Sequence, residues 1–313
     1  MGCVNGKCCS RYPSSPDGGS DHCGELKPYK SKHILTQRSL EIVHVSSHNF
    51  TLQYSILTQL GYYQDTVERE NQDSFCIKTQ IQCNPNVHVF GVFDGHGQYS
   101  AQCSNFNDRL VEILSSDSTL LDDPLKAYTL AFLAINSELH DSEIDDTMSG
   151  TTAITVLVVG DTLYVANDDE YERVKLCGAR VLSIDQVEGF KDPNIQNWGE
   201  EENEGSDPLR LWIPNGMYPG TTFTRSVGDS TAKKIGVIAD PEISVVKLTP
   251  NHLFFVVASD GVFELLPSRT VVNMVRYSCK SLELNKLLLH FQFACNTTYI
   301  SVIHMLAFKC FLM

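Results

Sequence analysis

Two buried-strand patterns that each run into an Asp-Gly pair constrain this chain more than any other feature. Val87-His88-Val89-Phe90-Gly91-Val92-Phe93 is apolar, partly β-branched and short, which suits a buried strand better than a helix, and Asp94-Gly95-His96-Gly97 follows it. Far downstream, Leu253-Phe254-Phe255-Val256-Val257-Ala258 repeats the device and leads into Ser259-Asp260-Gly261-Val262-Phe263-Glu264. A carboxylate is therefore expected where each strand ends. The glycines permit a tight turn and close backbone approach, so Asp94, the Gly95 carbonyl and His96 can face one point. Taken alone, Asp-Gly-His-Gly is equally an ordinary strand-to-turn corner with a surface histidine. The repeat changes the balance, and a third acidic cluster, Glu68-Arg69-Glu70-Asn71-Gln72-Asp73, precedes the strand-like Ser74-Phe75-Cys76-Ile77. Carboxylates from distant segments plus a carbonyl make the all-oxygen ligand set that Mg²⁺ or Mn²⁺ prefers, whereas zinc would call for Cys and His.

The rest of the chain reads as one globular domain between two dissimilar ends. Residues 1–40 form a Ser-, Gly-, Pro- and Cys-rich leader that carries +3 against −17 for the remainder, so only this segment is drawn to an anionic surface. Gly2 and Cys3 are candidate myristoyl and palmitoyl sites for membrane attachment, although Gly6 stands where Ser or Thr is usual; an unmodified leader is the alternative. Strand-like runs begin at Ser39–Val45 and Phe50–Ile56. Two helices follow the Asp-Gly-His-Gly corner. Phe106, Leu110, Ile113 and Leu114 share a face of the first; Asp123 caps the second, whose stripe is Leu125, Tyr128, Phe132, Ile135 and Leu139. Thr151–Val159 and Thr162–Ala166 flank Gly160-Asp161 as a hairpin, and Cys177–Leu182 reads as a helix end entering a strand. Residues 187–220, with four prolines and both tryptophans, form an irregular excursion: a flap beside a cleft, or a solvated loop.

Five stretches now align with a known pattern. Glu-Asn-Gln-Asp at 70–73, Val-Phe-Asp-Gly-His-Gly at 92–97, Ser-Gly-Thr-Thr-Ala at 149–153, Thr-Arg-Ser-Val-Gly-Asp at 224–229 and Ala-Ser-Asp-Gly-Val-Phe-Glu at 258–264 resemble the metal-dependent protein phosphatase 2C family, in its order, over about residues 55–276. The opening residues resemble the phosphatase portion of plant proteins that join this domain to cyclic-nucleotide-binding and kinase domains, neither of which is expected within these 313 residues. The resemblance implies an α/β fold: an α-β-β-α sandwich of two antiparallel sheets flanked by helices, here expected to be incomplete. It implies hydrolysis of phosphoserine and phosphothreonine in phosphoproteins by water activated by two Mg²⁺ or Mn²⁺ ions. Asp94 then bridges the ions, Asp73 and the Gly95 carbonyl hold one, Asp260 holds the other, and Glu264 contacts a further ion. Arg69 is the candidate phosphate-binding guanidinium, one position out of the register of many relatives. His96 is the candidate acid for the leaving oxygen, with a structural turn histidine as its alternative. Asp229 supports the cleft or caps a turn, and Arg225 pairs with substrate or with a structural carboxylate.

Two departures from that pattern bear on activity. The family continues past Asn167 into a Gly-Asp-Ser-Arg turn and another strand, but Asp168-Asp169-Glu170 follows here, so about two dozen residues are missing and the strand ending at Asn167 is expected to present an open edge. The family's final metal-ligand Asp has no counterpart either: residues 277–313, read as a non-family tail after the 41–276 domain, contain Glu283 and no Asp. The tail is too broken by His, Gln, Asn and Thr to read as a membrane span. A catalytically impaired, phosphoprotein-binding module is therefore the alternative function.

The net charge of −14 argues against a nucleic-acid binder, whose phosphate contacts need a clustered basic surface. Eleven cysteines, among them Cys76, Cys83, Cys103 and Cys177 with no CxxC pair, fit a reduced, cytoplasmic protein, expected to be monomeric.

Overall fold

The computed structural model of the protein describes residues 41–45, 50–59, 71–167, 171–194, 208–249, 251–263, 266–273 and 303–312. The first sheet has the order β1-β2-β13-β12, from Glu41–Val45, Phe50–Gln59, Ile303–Leu312 and Phe254–Ala258. In the second, β11-β6-β5-β4-β3, the strands are Glu242–Lys247, Thr162–Asn167, Gly150–Val159, Val87–His96 and Ser74–Lys78, and the short β10, Val227–Gly228, adds to β5. Every pairing in both sheets is antiparallel. A third small sheet joins β7, β8 and β9 (Arg180–Leu182, Arg210–Trp212, Pro219–Thr221).

The pleat of β4 explains the layering. Alternate side chains leave opposite faces of a strand, so a strand that is apolar throughout must be covered twice. Phe90 and Val92 pack with Leu52, Tyr54 and Ile56 of β2 and Val257 of β12, which is the core between the two sheets. Val87, Val89 and Phe93 point the other way, onto the helices α1 (Ser100–Ser104), α2 (Asn107–Ser116) and α3 (Pro124–His140). Asp123 caps α3 by accepting from the Lys126 N–H, and Tyr128, Phe132, Ile135 and Leu139 are buried as the spacing predicts. Leu125 departs from that stripe: it lies in the first turn and is exposed. The hairpin at Gly160-Asp161 forms between β5 and β6, and α4 (Tyr171–Leu176) runs into β7.

Three further expectations are revised. The strand before the Asp-Gly-His-Gly corner does not stop at Phe93; it continues to His96, because Asp94, Gly95 and His96 pair with Thr152, Thr151 and Gly150. The turn comes at Gly97, whose φ of +85° suits glycine. The outer edge of β6 is not open, since β11 fills it over a six-residue register from Glu242↔Asn167 to Lys247↔Thr162. Finally, Ile303–Leu312, part of the segment set apart as a tail, lies between β2 and β12 in the first sheet. No helix among the described residues is long and apolar enough to cross a membrane. The leader with Gly2 and Cys3 lies outside the described residues.

Candidate metal centre

Sheet register brings the first two carboxylates together. Ser74 of β3 faces Phe93 of β4, so Asp73 and Asp94 are neighbours at the same end of the second sheet. Asp73 is held there by an Asx turn in which its N–H donates to Asn71 Oδ1 at 3.0 Å. The third carboxylate comes from the first sheet: Asp260 starts α7 (Asp260–Phe263), with only Ser259 between it and the end of β12. Packing of the two sheets is therefore what makes the cluster.

Asp94 meets the side chains of both others, hydrogen-bonding the carboxyls of Asp73 and Asp260 and accepting from the Asp260 N–H. Asp73 also accepts from the Ser259 hydroxyl and the Gly95 N–H. Burial, and then the charge of Asp73, pushes the Asp94 carboxyl up to about 8. Burial also lifts Asp73, to about 7, with the charge of Asp260 adding to it and the Ser259 hydroxyl opposing. Among the described residues no three such side chains already stand around a common point as a cage; the carboxyls contact one another. The donor set still fits hard divalent cations. All its atoms are oxygens, the three residues are only partly buried, and the charge repulsion that raises their proton affinity is what a dication relieves.

Gly95 is buried, and a Cβ there would collide with the Gln72 carbonyl and lie 2.6 Å from the Ser100 carbonyl. Only a residue without a side chain lets β4 pass between these two backbones. Beyond it, His96 turns its Nε2 onto the carboxylate of Asp229, 2.8 Å from both oxygens, and its ring lies 4.6 Å from that of Phe223. Asp229 stands at the N-cap position of α6 (Ser230–Lys233) but makes no side-chain cap bond. The capping alternative for Asp229 is therefore not what its side chain does.

Asp73, Asp94, Gly95 and Asp260 thus come together, His96 stands two residues past Asp94 on β4 with its ring on Asp229, and Arg69 and Glu264 lie outside the described residues. Arg225 donates to the Asp240 carbonyl. In the excursion, Trp212 is buried and its indole N–H donates to the Leu182 carbonyl at 2.8 Å, whereas Tyr218 is exposed. Ser259 and Phe223 were not singled out from the sequence as site residues. Ser259 could have been noticed as the hydroxyl next to Asp260; nothing local marks Phe223.

Comparison with known proteins points the same way. A family profile described as protein phosphatase 2C matches residues 63–168 and 169–298, in two blocks that meet one residue past the Asn167 junction and continue past residue 276. The chain is 60% identical over 309 residues to "Probable protein phosphatase 2C 35" of Arabidopsis thaliana, covering 89% of this chain and 88% of the relative. It is 27% identical to "Probable protein phosphatase 2C 64" of Oryza sativa subsp. japonica, covering 87% and 69%. Its fold resembles a serine-threonine phosphatase 2C from Toxoplasma gondii with a TM-score of 0.62 at 14% identity, over 88% of this chain and 98% of the other.

Proposed function

Because the chain belongs to the protein phosphatase 2C family, we propose that it is a metal-dependent hydrolase of phosphoserine and phosphothreonine in proteins, working through the carboxylate cluster at the sheet ends. The observation that carries this reading is the convergence of Asp73, Asp94 and Asp260 from two different sheets. Asp94, in contact with both other carboxyls, would be the shared ligand of two Mg²⁺ or Mn²⁺ ions. Asp73 and the Gly95 carbonyl would complete one position, Asp260 the other, and Glu264 would reach a further ion. Such ions, when bound, lower the pKa of a water and offset charge on the phosphoryl group. Arg69 would hold phosphate oxygens, and His96 would give a proton to the departing oxygen of serine or threonine.

A second reading has one observation in its favour: residues 277–313 contain Glu283 and no Asp, so the family's last metal-binding carboxylate has no counterpart. A protein with a weakened metal centre would bind phosphoproteins without hydrolysing them. Mn²⁺-dependent hydrolysis of a phosphothreonine peptide by the full chain, with a chelator and Asp94→Ala as controls, separates the two. Turnover abolished by both controls supports the hydrolase. Folded protein that takes up no Mn²⁺ at millimolar concentration in isothermal titration, and turns over nothing, supports the binding module.

A further inference from the structure

His96 stands two residues beyond Asp94 on β4, and its ring is held by a carboxylate. Both oxygens of Asp229 lie 2.8 Å from Nε2, across a sequence separation of 133 residues. The Asp229 side chain is 4% exposed and that of His96 is 20% exposed, so the carboxylate sits behind the ring and the ring faces outward.

The backbone around Asp229 leaves its carboxylate to that contact. Its backbone takes the left-handed conformation, φ 57° and ψ 51°, which is costly for a residue with a side chain. Three hydrogen bonds fix the turn: Gly228 N–H to Asn136 Oδ1 at 3.1 Å, Asp229 N–H to the Ser149 carbonyl at 3.0 Å, and Ser230 N–H to the Asp146 carbonyl at 3.0 Å. Gly150, which pairs with both His96 in β4 and Gly228 in β10, has no side chain where a Cβ would strike Asp229 Oδ2. The N-cap position would normally direct an Asp side chain to the first helical N–H groups. Here that bond is given up for the imidazole.

From this geometry we infer that Asp229 is a positioning residue: it holds the Nε2–H form of His96 and turns Nδ1 toward the substrate, so that Nδ1 carries the proton delivered to the leaving group. This rests on the phosphatase reading above. In the step, the attacking water forms the new P–O bond and releases a proton to solvent. The bond from phosphorus to the serine or threonine oxygen breaks with its electron pair on that oxygen, which takes the proton from His96 Nδ1; solvent then reprotonates His96. A carboxylate behind the ring keeps its tautomer and its orientation.

The test compares two leaving groups. A threonine oxygen needs a proton as it departs, whereas the nitrophenolate of p-nitrophenyl phosphate leaves without one. Asp229→Asn should lower kcat on a phosphothreonine peptide by about 10²-fold, the usual size of a lost general acid, with KM unchanged and p-nitrophenyl phosphate turnover altered by less than ~3-fold. Equal losses on both substrates, or no loss on either, would overturn the inference. An independent readout needs no turnover: ¹⁵N NMR of histidine-labelled wild-type protein without metal, with His96→Gln to assign the signal. Protonation of neutral His96 at Nε2 is expected; protonation at Nδ1 would refute the assignment even if Asp229→Asn fails to fold. If wild-type protein with Mn²⁺ hydrolyses neither substrate, the phosphatase reading fails, while the tautomer still decides whether Asp229 sets the ring.

Discussion

Acidification should destabilise this protein through His88, and the size of the effect follows from how that ring is held. His88 lies in β4 with 0% exposure. Its Nδ1 accepts the Gln80 N–H at 3.1 Å, so a neutral ring carries its proton on Nε2, which is buried without a hydrogen-bond partner. Burial lowers its pKa from 6.5 to about 4, with the Pro85 carbonyl opposing. Protonating Nδ1 would set it against the Gln80 N–H, donor against donor. The folded pKa is the lower one, so the unfolded chain binds the extra proton between the two values. This contribution is neutral above about pH 6.5 and becomes increasingly unfavourable as pH falls toward 4. By linkage it amounts to about 2 kcal/mol at pH 5 and levels off near roughly 3 kcal/mol below the folded pKa. Urea unfolding of metal-free wild type and His88→Gln, which keeps an acceptor near Gln80, isolates the effect because the other titrating groups are common to both. The stability difference should shift by about 2 kcal/mol in favour of the variant between about pH 7.5 and pH 5. A difference that does not change with pH would refute the reasoning.

The metal centre offers two more tests. Asp94→Asn should raise the thermal midpoint of metal-free protein at neutral pH, because it removes a carboxylate whose ionisation burial and Asp73 oppose, and should abolish the stabilisation that Mn²⁺ gives the wild type. The folded values of Asp73 and Asp94 are raised, so in wild type their contribution is present at low pH and fades as pH rises from about 4 through about 8; thermal scans without metal across that window should follow this slope. Gly95→Ala should cost more than about 2 kcal/mol in urea unfolding, since both neighbours of the added methyl are backbone carbonyls that cannot step aside.

Local chemistry carried much of the architecture into the sequence. The unbroken apolar run of β4 announced a strand buried on both faces; Asp123 and Pro124 announced where α3 begins; Gly160-Asp161 announced a hairpin. Each of these signals is a property of neighbouring residues and survives in one dimension. The carboxylates Asp73, Asp94 and Asp260 could likewise be named in advance, because each is tied to the end of a recognisable strand or turn.

What no local pattern contained were the long-range pairings. Nothing in Ile303–Leu312 says that it will enter between β2 and β12, and nothing in Glu242–Lys247 says that it will close the edge of β6. Backbone hydrogen bonds are the same for any strand, so a partner is chosen by which edge the folded core leaves free and by the faces that must be buried. The same holds for the site. The sequence determined which residues could serve as acids, bases and ligands, but only the tertiary structure decided that Asp229 meets His96, because that meeting depends on β10 lying on β5 and on Gly150 leaving space for a carboxylate.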